Sequence, residues 1–294
     1  MRIHKVGVVG AGVIGRGVAQ SLAQTGHRVV LIDVAESILS DALTDVANGL
    51  RFAALSDPVL RGSDHAEILS RIAVSTDYRH MECVDFVVEN VTEDWNVKEA
   101  VYRELDRTCR ADCVFAANTS AIRVGRIGAT TGRPASVVGL HFMNPVPQKR
   151  YVELIVGSHS SASAVASART LLDQLGKEAI LVRDNPGFVS NRVMMLMINE
   201  AVAVLEEGVA GASDVDAIFV HCFSHKMGPL ATADLIGLDT ILRTLDVLLD
   251  DCDDKKFEAS PLLRRMVKEG RLGRKSGSGF FEYGTQGKDR AHGN

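Results

Sequence analysis

The sequence has few cysteines, no strong excess of either charge and no long apolar run, and each absence excludes a class of protein. Its 294 residues carry a formal net charge of −4, which gives no general attraction to nucleic acid or to an anionic membrane. No apolar run approaches the ~20 residues that a helix needs to cross a bilayer. The chain enters a predicted strand at its start, without the pattern of a signal peptide. We therefore expect a soluble intracellular protein that binds neither nucleic acid nor membrane.

The cysteines do not form a disulfide framework. Their number is odd and none stands in a CxxC pair, a usage typical of reduced thiols in the cytoplasm, where we place the protein. His221 and His225 have the spacing of neighbours on a helix face, but no third ligand stands at a diagnostic spacing, so we predict no metal site. The five cysteines are Cys83, Cys109, Cys113, Cys222 and Cys252.

Short apolar runs alternate with helical patterns through the first part of the chain. Several runs are apolar at consecutive positions, which suits strands that are covered on both faces. The helical patterns Val13–Gln24 and Ala162–Leu175 are each closed by a glycine, the usual C-terminal stop. This alternation predicts an α/β fold with a doubly wound, mostly parallel sheet of the Rossmann type. The predicted strands are Lys5–Val9, Val29–Asp33, Asp85–Asn90, Val114–Asn118, Val137–Phe142, Tyr151–Val156 and Ala179–Val182.

Two segments break this alternation. Residues 36–72 hold two helical stretches, and we predict an inserted helical hairpin that is free to project from the sheet. Near Pro186 the pattern becomes helical, so we predict a Rossmann domain over 1–184 and an all-helical domain over 185–294. Val193–Leu205 is apolar on almost every side, which predicts a helix buried on several faces. Further helices are predicted over Ser213–Phe219, Pro229–Leu249 and Leu262–Lys268.

A GxGxxG motif follows the first predicted strand and opens a helix, which is the context that a dinucleotide site requires. Gly10 allows the tight turn, Gly12 lets the backbone approach a pyrophosphate, and Gly15 lets helix and strand pack closely. Asp33 ends the next strand, where it would bind the adenosine ribose and repel a 2′-phosphate, so NAD is favoured over NADP. FAD shares the motif, but it suits a longer chain. The predicted cofactor loop comprises Gly10, Gly12, Val13, Ile14 and Gly15.

A histidine and a glutamate, His141 and Glu153, flank a segment that must turn. Pro145 and Pro147 lie between them, and each fixes φ and lacks a donor. A strand, a turn and a second strand would bring Glu153 back beside His141. A carboxylate that holds an imidazole makes a general base, and beside a nicotinamide cofactor a base predicts alcohol oxidation or its reverse. Without these neighbours, His141 would be a core histidine at a strand end.

Further polar residues stand at ends of predicted elements, where open sheets bind ligands. Ser120 closely follows the fourth strand and Asn191 opens the helical domain, so both could converge with His141 in a crevice. Ser120 could instead only shape a turn, and Asn191 could only cap a helix. Asn144 precedes a proline and is a weaker candidate for substrate binding, because a turn would also explain it.

Three residues of the first domain are predicted cofactor contacts besides the glycine loop and Asp33. Asn118 ends the fourth strand, at the edge where a ligand would lie. Glu89 and Lys98 could reach the nicotinamide ribose, or could pair with each other on the surface.

Taken together, these motifs resemble the 3-hydroxyacyl-CoA dehydrogenases over nearly the whole chain. In that family the histidine matching His141 is the base, and the glutamate matching Glu153 orients it. The residues matching Ser120 and Asn191 hydrogen-bond the substrate oxygen. The resemblance also implies a Rossmann domain, NAD as cofactor and a helical domain that forms a homodimer. It rests on the GxGxxG motif with Asp33, Val87–Glu89, Asn118–Ser120, Leu140–Pro147, Val152–Glu153, Asp184–Arg192, Asn199–Ala201, Glu207–Ala210, Met227–Pro229, Ile236–Asp239 and Gly277–Phe281.

Departures from the family concern the substrate. The family's inserted hairpin helps to hold the CoA nucleotide and is usually rich in lysine, whereas residues 36–72 contain none. Ala121 stands where the family usually has serine, and Lys226, a predicted substrate contact, stands where it usually has proline. The stretch His225–Asp234 is similar to a branch that oxidises a glyceryl group on an acyl carrier protein, toward hydroxymalonyl and methoxymalonyl units for polyketides.

We therefore predict an acyl thioester substrate, carried on CoA or on an acyl carrier protein, with the glyceryl carrier protein as the first choice. The alternatives are 3-hydroxybutyryl-CoA of fatty-acid or butanoate metabolism, and a hydroxy acid without a thioester. Other classes stay open as well. A hydrolase with the triad Ser120, His141 and Glu153 would lack a GxSxG elbow and leave the dinucleotide motif unused. A non-catalytic NAD-binding protein would have no need of the base and its orienting carboxylate.

Overall fold

The computed structural model describes residues 2–55 and 57–284. The chain divides into two compact units, Met1–Asn185 and Pro186–Asn294. The first unit combines strands and helices, and the second is built from helices. Residues 285–294 of the predicted helical domain lie outside the described residues.

A sheet of eight strands runs through the described part of the first unit. The strands are β1 (Lys5–Val9), β2 (Arg28–Ile32), β3 (Ile72–Ser75), β4 (Phe86–Glu89), β5 (Val114–Ala117), β6 (Val137–His141), β7 (Tyr151–Val156) and β8 (Glu178–Arg183). Their order is β3-β2-β1-β4-β5-β6-β7-β8, and neighbours are parallel except for the antiparallel pair β6 and β7. This confirms the predicted doubly wound, mostly parallel sheet.

Helices cover this sheet on both faces. Every residue of β5 and β6 is buried, which is why both strands read as continuous apolar runs. The seven predicted strands are present within one residue at each end. The α-helices of the first unit are α1 (Val13–Gln24), α2 (Glu36–Ala53), α3 (Pro58–Arg61), α4 (His65–Ser70), α5 (Trp95–Thr108), α6 (Val124–Gly128) and α7 (Ala162–Gln174).

The insertion over residues 36–72 differs from its prediction in two ways. Its first arm, α2, is a helix, but Leu39, Ala42, Val46 and Leu50 are buried in the core that also contains β1 and β2. Their spacing places them on one face of the helix. The prediction that the hairpin is free to project is therefore wrong, since one face of α2 packs on the domain. The second arm consists of two short helices, α3 and α4, and leads into the edge strand β3.

The described part of the second unit contains five α-helices around their own core. The helix predicted over Pro229–Leu249 is in fact two, because Gly237 adopts a φ of 104° and breaks it. The helix that begins at Ser190 buries Met195 and Ile198, but Val193 is 62% exposed in the single chain, so its burial on several faces stays a prediction. No helix among the described residues has the length and apolar composition to cross a membrane. The five are α8 (Ser190–Glu206), α9 (Ala212–His221), α10 (Pro229–Ile236), α11 (Leu238–Cys252) and α12 (Pro261–Lys268).

Candidate active site

The glycine loop between β1 and α1 is tightly held. Gly10 has a φ of 89°, and a Cβ there would lie 2.7 Å from the backbone of Asn90. A Cβ at Gly15 would lie 1.7 Å from the carbonyl oxygen of Gly10, so the helix can approach the strand only without a side chain. At Gly12, by contrast, a Cβ would meet no protein atom within 4 Å. The backbone at Gly12, where α1 begins, is therefore open to a ligand, which fits a dinucleotide pyrophosphate.

Asp33 lies directly after β2 and fixes the same loop. Its Oδ2 accepts a hydrogen bond from the backbone N–H of Ala11 at 2.6 Å, and its Oδ1 accepts one from Val34 at 2.7 Å. The loop is also joined to β2 through the N–H of Gly10, which donates to the carbonyl of Ile32 at 2.8 Å. The carboxylate is thus held beside the glycine loop, in the position that an adenosine ribose requires.

The histidine and the glutamate pair across the antiparallel strands β6 and β7. His141 and Glu153 stand opposite each other in the register, and Nδ1 of the imidazole lies 2.7 Å from Oε2 of the carboxylate. Both side chains are buried, with 7% and 8% of their surfaces exposed. The carboxylate can only accept, so a neutral imidazole in this pair carries its proton on Nδ1 and its lone pair on Nε2. An imidazole in this state can take a proton at Nε2.

A serine faces that nitrogen. Oγ of Ser120, in the turn after β5, lies 3.3 Å from Nε2 of His141. The ends of β5 and β6 are adjacent because these strands are parallel neighbours. The structure thus brings Ser120, His141 and Glu153 together in one unit, in the order hydroxyl, imidazole, carboxylate. An alcohol that replaced the serine hydroxyl at Nε2 would be in position to lose its proton.

Asn118 connects the ends of the same strands. Its Oδ1 accepts a hydrogen bond from the N–H of Phe142 at 3.1 Å, and its Nδ2 donates to Oδ1 of Asn90 at 3.0 Å. The side chain therefore fixes the chain next to His141. Its predicted contact with a cofactor stays a prediction.

The pair formed by Glu89 and Lys98 is enclosed in the protein. Nζ of Lys98 lies 2.9 Å and 3.1 Å from the two carboxylate oxygens and 3.2 Å from the carbonyl of Asn118. Burial raises the pKa of Glu89, and the Lys98 ammonium opposes that rise. Both residues have 0% exposure, so the alternative of a surface ion pair is wrong. Contact of either with a ribose stays a prediction.

Sequence reasoning missed a second carboxylate at this site, Glu93. Its Oε1 accepts from Oγ1 of Thr119 at 2.5 Å, and its Oε2 lies 3.6 Å from Nζ of Lys98. The pKa of Glu93 is lowered: burial would raise it, but Lys98, the threonine hydroxyl and backbone N–H groups outweigh burial. Glu93 immediately precedes Asp94, which caps α5, and two acids at a helix start look like capping alone. The one feature of the sequence that could have pointed to Glu93 as a site residue is its spacing of five residues from Lys98.

The remaining candidates occupy different places. Asn144 is exposed and lines a depression of about 170 Å³ with Val13 of α1, so it lies beside the glycine loop. Asn191 is the second residue of α8 in the second unit, and Val189 precedes that helix as its N-cap, so capping does not explain Asn191. Lys226 is exposed in the loop between α9 and α10.

Known protein families account for nearly the whole chain. Residues 5–185 match the NAD binding domain of 3-hydroxyacyl-CoA dehydrogenase, and residues 187–283 match the C-terminal domain of the same family. The chain belongs to the 3-hydroxyacyl-CoA dehydrogenase family. The predicted resemblance is thereby confirmed, and so is NAD as the cofactor. The protein is an oxidoreductase that acts on a hydroxyl group, which contradicts both the hydrolase and the non-catalytic alternatives.

Individual relatives within the 3-hydroxyacyl-CoA dehydrogenase family agree along their full length. A probable 3-hydroxybutyryl-CoA dehydrogenase of Bacillus subtilis is 39% identical in sequence, and the alignment covers 96% of this chain and 98% of the Bacillus protein. The 3-hydroxybutyryl-CoA dehydrogenase of Clostridioides difficile is 37% identical, covering 95% and 99%. The crystal structure of (S)-3-hydroxybutyryl-CoA dehydrogenase from Ralstonia eutropha is 38% identical, with a TM-score of 0.90 over 96% of this chain and 100% of that one.

Proposed function

We propose that this enzyme oxidises the 3-hydroxyl of a short-chain 3-hydroxyacyl-CoA, of the size of 3-hydroxybutyryl-CoA, with NAD. The observation that carries the proposal is the 2.7 Å contact between Nδ1 of His141 and Glu153, which places the lone pair of the neutral imidazole on Nε2, the nitrogen that faces Ser120. The names of the relatives, which are 3-hydroxybutyryl-CoA dehydrogenases, support the CoA ester and the short acyl chain.

The proposed mechanism assigns one task to each side chain. NAD, which the glycine loop and Asp33 would hold, would supply the acceptor for the hydride that leaves C3. Nε2 of His141 removes the hydroxyl proton, and Glu153 stabilises the imidazolium that forms. Ser120, and Asn191 by its match to the family, donate hydrogen bonds to the substrate oxygen as it gains negative charge. In the reverse direction His141 returns the proton to a ketone.

A substrate comparison tests this proposal. With NAD present, we expect NADH to form with 3-hydroxybutyryl-CoA at a kcat/KM far above that for free 3-hydroxybutyrate or for a glyceryl group on an acyl carrier protein. The readout is NADH absorbance with each substrate over the same concentration range. A higher kcat/KM for the carrier-borne thioester, or for the free acid, would contradict the CoA proposal.

The glyceryl carrier protein remains the second candidate because the inserted hairpin offers little to a CoA 3′-phosphate. The guanidinium of Arg61 donates to the carbonyls of Ala54 and Leu55, and that of Arg71 donates to Ala23 and Glu67. Residues 36–72 contain no lysine. Arg51 donates to Oδ1 of Asn48 at 3.5 Å, so all three arginines of this segment are engaged within the protein, which favours a thioester without the adenosine nucleotide. The names of the relatives favour CoA.

The glycine loop offers a matched pair of substitutions. Gly12→Ala should weaken NADH binding by about tenfold or more, ~1.4 kcal/mol, because its new methyl group meets only the ligand. Gly15→Ala should destabilise the fold by about 1–3 kcal/mol, because its methyl group collides with the Gly10 carbonyl. NADH titration and thermal unfolding check the two effects. Equal losses of stability in both variants would contradict the proposed difference.

We also propose a homodimer formed through the second unit. Large apolar side chains of that unit are exposed in the single chain, including Val193 at 62%, Phe223 at 65% and Leu235 at 54%. Exposed apolar side chains that form one patch are typical of an interaction surface, and the family's helical domain dimerises, which together support the dimer. Light scattering should give twice the chain mass of 31.7 kDa, and Val193→Glu should shift the mass toward one chain. A mass of one chain for the wild-type protein would contradict the dimer.

A further inference from the structure

One oxygen of Glu93 organises the turn that follows β5. Its Oε1 accepts hydrogen bonds from the backbone N–H groups of Ser120, Ala121 and Ile122 at 3.0, 3.0 and 3.2 Å. The hydroxyl of Thr119 donates to the same oxygen. Four consecutive residues therefore converge on one carboxylate, and the second of them carries the hydroxyl that faces Nε2 of His141.

The negative charge of the Glu93 carboxylate is balanced by the ammonium group of Lys98. Lys98 lies 3.6 Å from Oε2 of Glu93 and 2.9 Å from Oε1 of Glu89, so one ammonium is shared by two carboxylates. The same ammonium donates to the carbonyl of Asn118, which precedes the turn. Lysine and carboxylates together hold both ends of the segment 118–122. Charge-assisted hydrogen bonds of this kind are shorter and stronger than those between neutral groups.

We propose that Glu93 is a positioning residue: it holds the turn 119–122 so that the Ser120 hydroxyl lies at the reacting oxygen, next to His141. This rests on the proposed role of Ser120 as a donor to the substrate oxygen. Without the carboxylate, the N–H groups of Ser120 and Ala121 lose their acceptor, and that of Ile122 keeps only Oγ1 of Thr119, so the turn must relax. A displacement of about 1 Å at a catalytic group costs ~10²-fold in rate.

A cycle of variants separates positioning from other roles of Glu93. The set comprises Glu93→Gln, Glu93→Ala, Ser120→Ala and the double variant Glu93→Ala with Ser120→Ala. Glu93→Gln keeps an oxygen that can accept from the backbone of the turn, but it removes the negative charge beside Lys98. It should therefore lose less activity than Glu93→Ala. Glu99→Gln is the control, since Glu99 lies on α5, the helix that follows Glu93, in a partly exposed ion pair with Arg103.

We expect Glu93→Ala to lower kcat by ~10²-fold in the wild-type background. In the Ser120→Ala background the same change should have little further effect, because residues that act through each other are not additive. Glu93→Gln should restore part of the lost kcat, which also keeps the test valid if Glu93→Ala folds poorly.

Other results would overturn the inference in recognisable ways. Fully additive losses, or a weakened NADH affinity at constant kcat, would show that Glu93 does not act through Ser120. If Ser120→Ala retained the wild-type kcat, the assigned role of Ser120 would fail first, and the positioning role with it. Wild-type activity, measured beside every variant, tests the proposed substrate separately from these comparisons.

Discussion

Replacing His141 by glutamine should lower kcat by about 10²–10⁴-fold, the range typical of a positioned acid–base group. Glutamine has a polar end group of similar reach and can still hydrogen-bond Glu153, but it cannot take a proton at neutral pH. The hydroxyl of the substrate would then lose its proton without a base. The glycine loop and Asp33 follow β1 and β2, away from the strand that carries His141, so the Kd for NADH should stay within about twofold of the wild-type value.

Steady-state kinetics and NADH titration of the same preparation measure both expectations. His159→Gln is the matched control, because His159 is an exposed histidine of the same unit and follows β7. It should keep the wild-type kcat. A variant at 141 that retained a tenth or more of the activity would show that another group is the base.

The pairing of His141 with Glu153 could be predicted because the chain between them can adopt few backbone conformations. Two prolines interrupt any regular element there, so the chain must turn, and apolar strands on both sides can then pair. Register follows from the burial of one face, which fixes which side chains stand opposite each other. The dinucleotide loop was predictable for a similar reason, since its glycines permit a backbone path that side chains would block.

Glu93 and β3 could not be predicted in the same way. Glu93 acts through backbone N–H groups of a turn almost thirty residues later in the chain, and backbone donors leave no trace in the sequence. The strand β3 is only four residues long, and its apolar run Ile72–Val74 is too short to distinguish a strand from the end of a helix. The position of Asn144 beside α1 likewise depends on how the turn folds back, which its own neighbours do not specify.

The same limit applies to burial of the hairpin and of α8. Residues 36–53 contain an apolar stripe at helical spacing, but such a stripe does not determine which part of the protein covers it. In α2 that surface is the sheet domain. In α8 some apolar residues stay exposed in the single chain, and the proposed dimer would cover them. The sequence pattern therefore predicted which face of each helix is apolar, but not which surface packs against that face.

Glu153→Gln should lower kcat by a similar factor, up to ~10⁴-fold, although glutamine has nearly the same shape. Glu153 can only accept, so it requires the proton on Nδ1 of His141. An amide can donate its N–H to Nδ1 instead, which moves the ring proton to Nε2 and disables the base. Loss of the orienting carboxylate in other enzymes with a histidine base has an effect of this size. The amide also lacks the charge that stabilises the imidazolium.

The kinetic cycle with His141→Gln distinguishes this mechanism from a general weakening of the fold. If Glu153 acts only through the imidazole, the double variant should be no slower than His141→Gln alone. Glu178→Gln on the neighbouring strand β8 is the control, since Glu178 forms an exposed ion pair with Arg150 and should tolerate the change. Independent, multiplying losses in the double variant would mean that Glu153 has a task of its own in the reaction, and that the pair is not one functional unit.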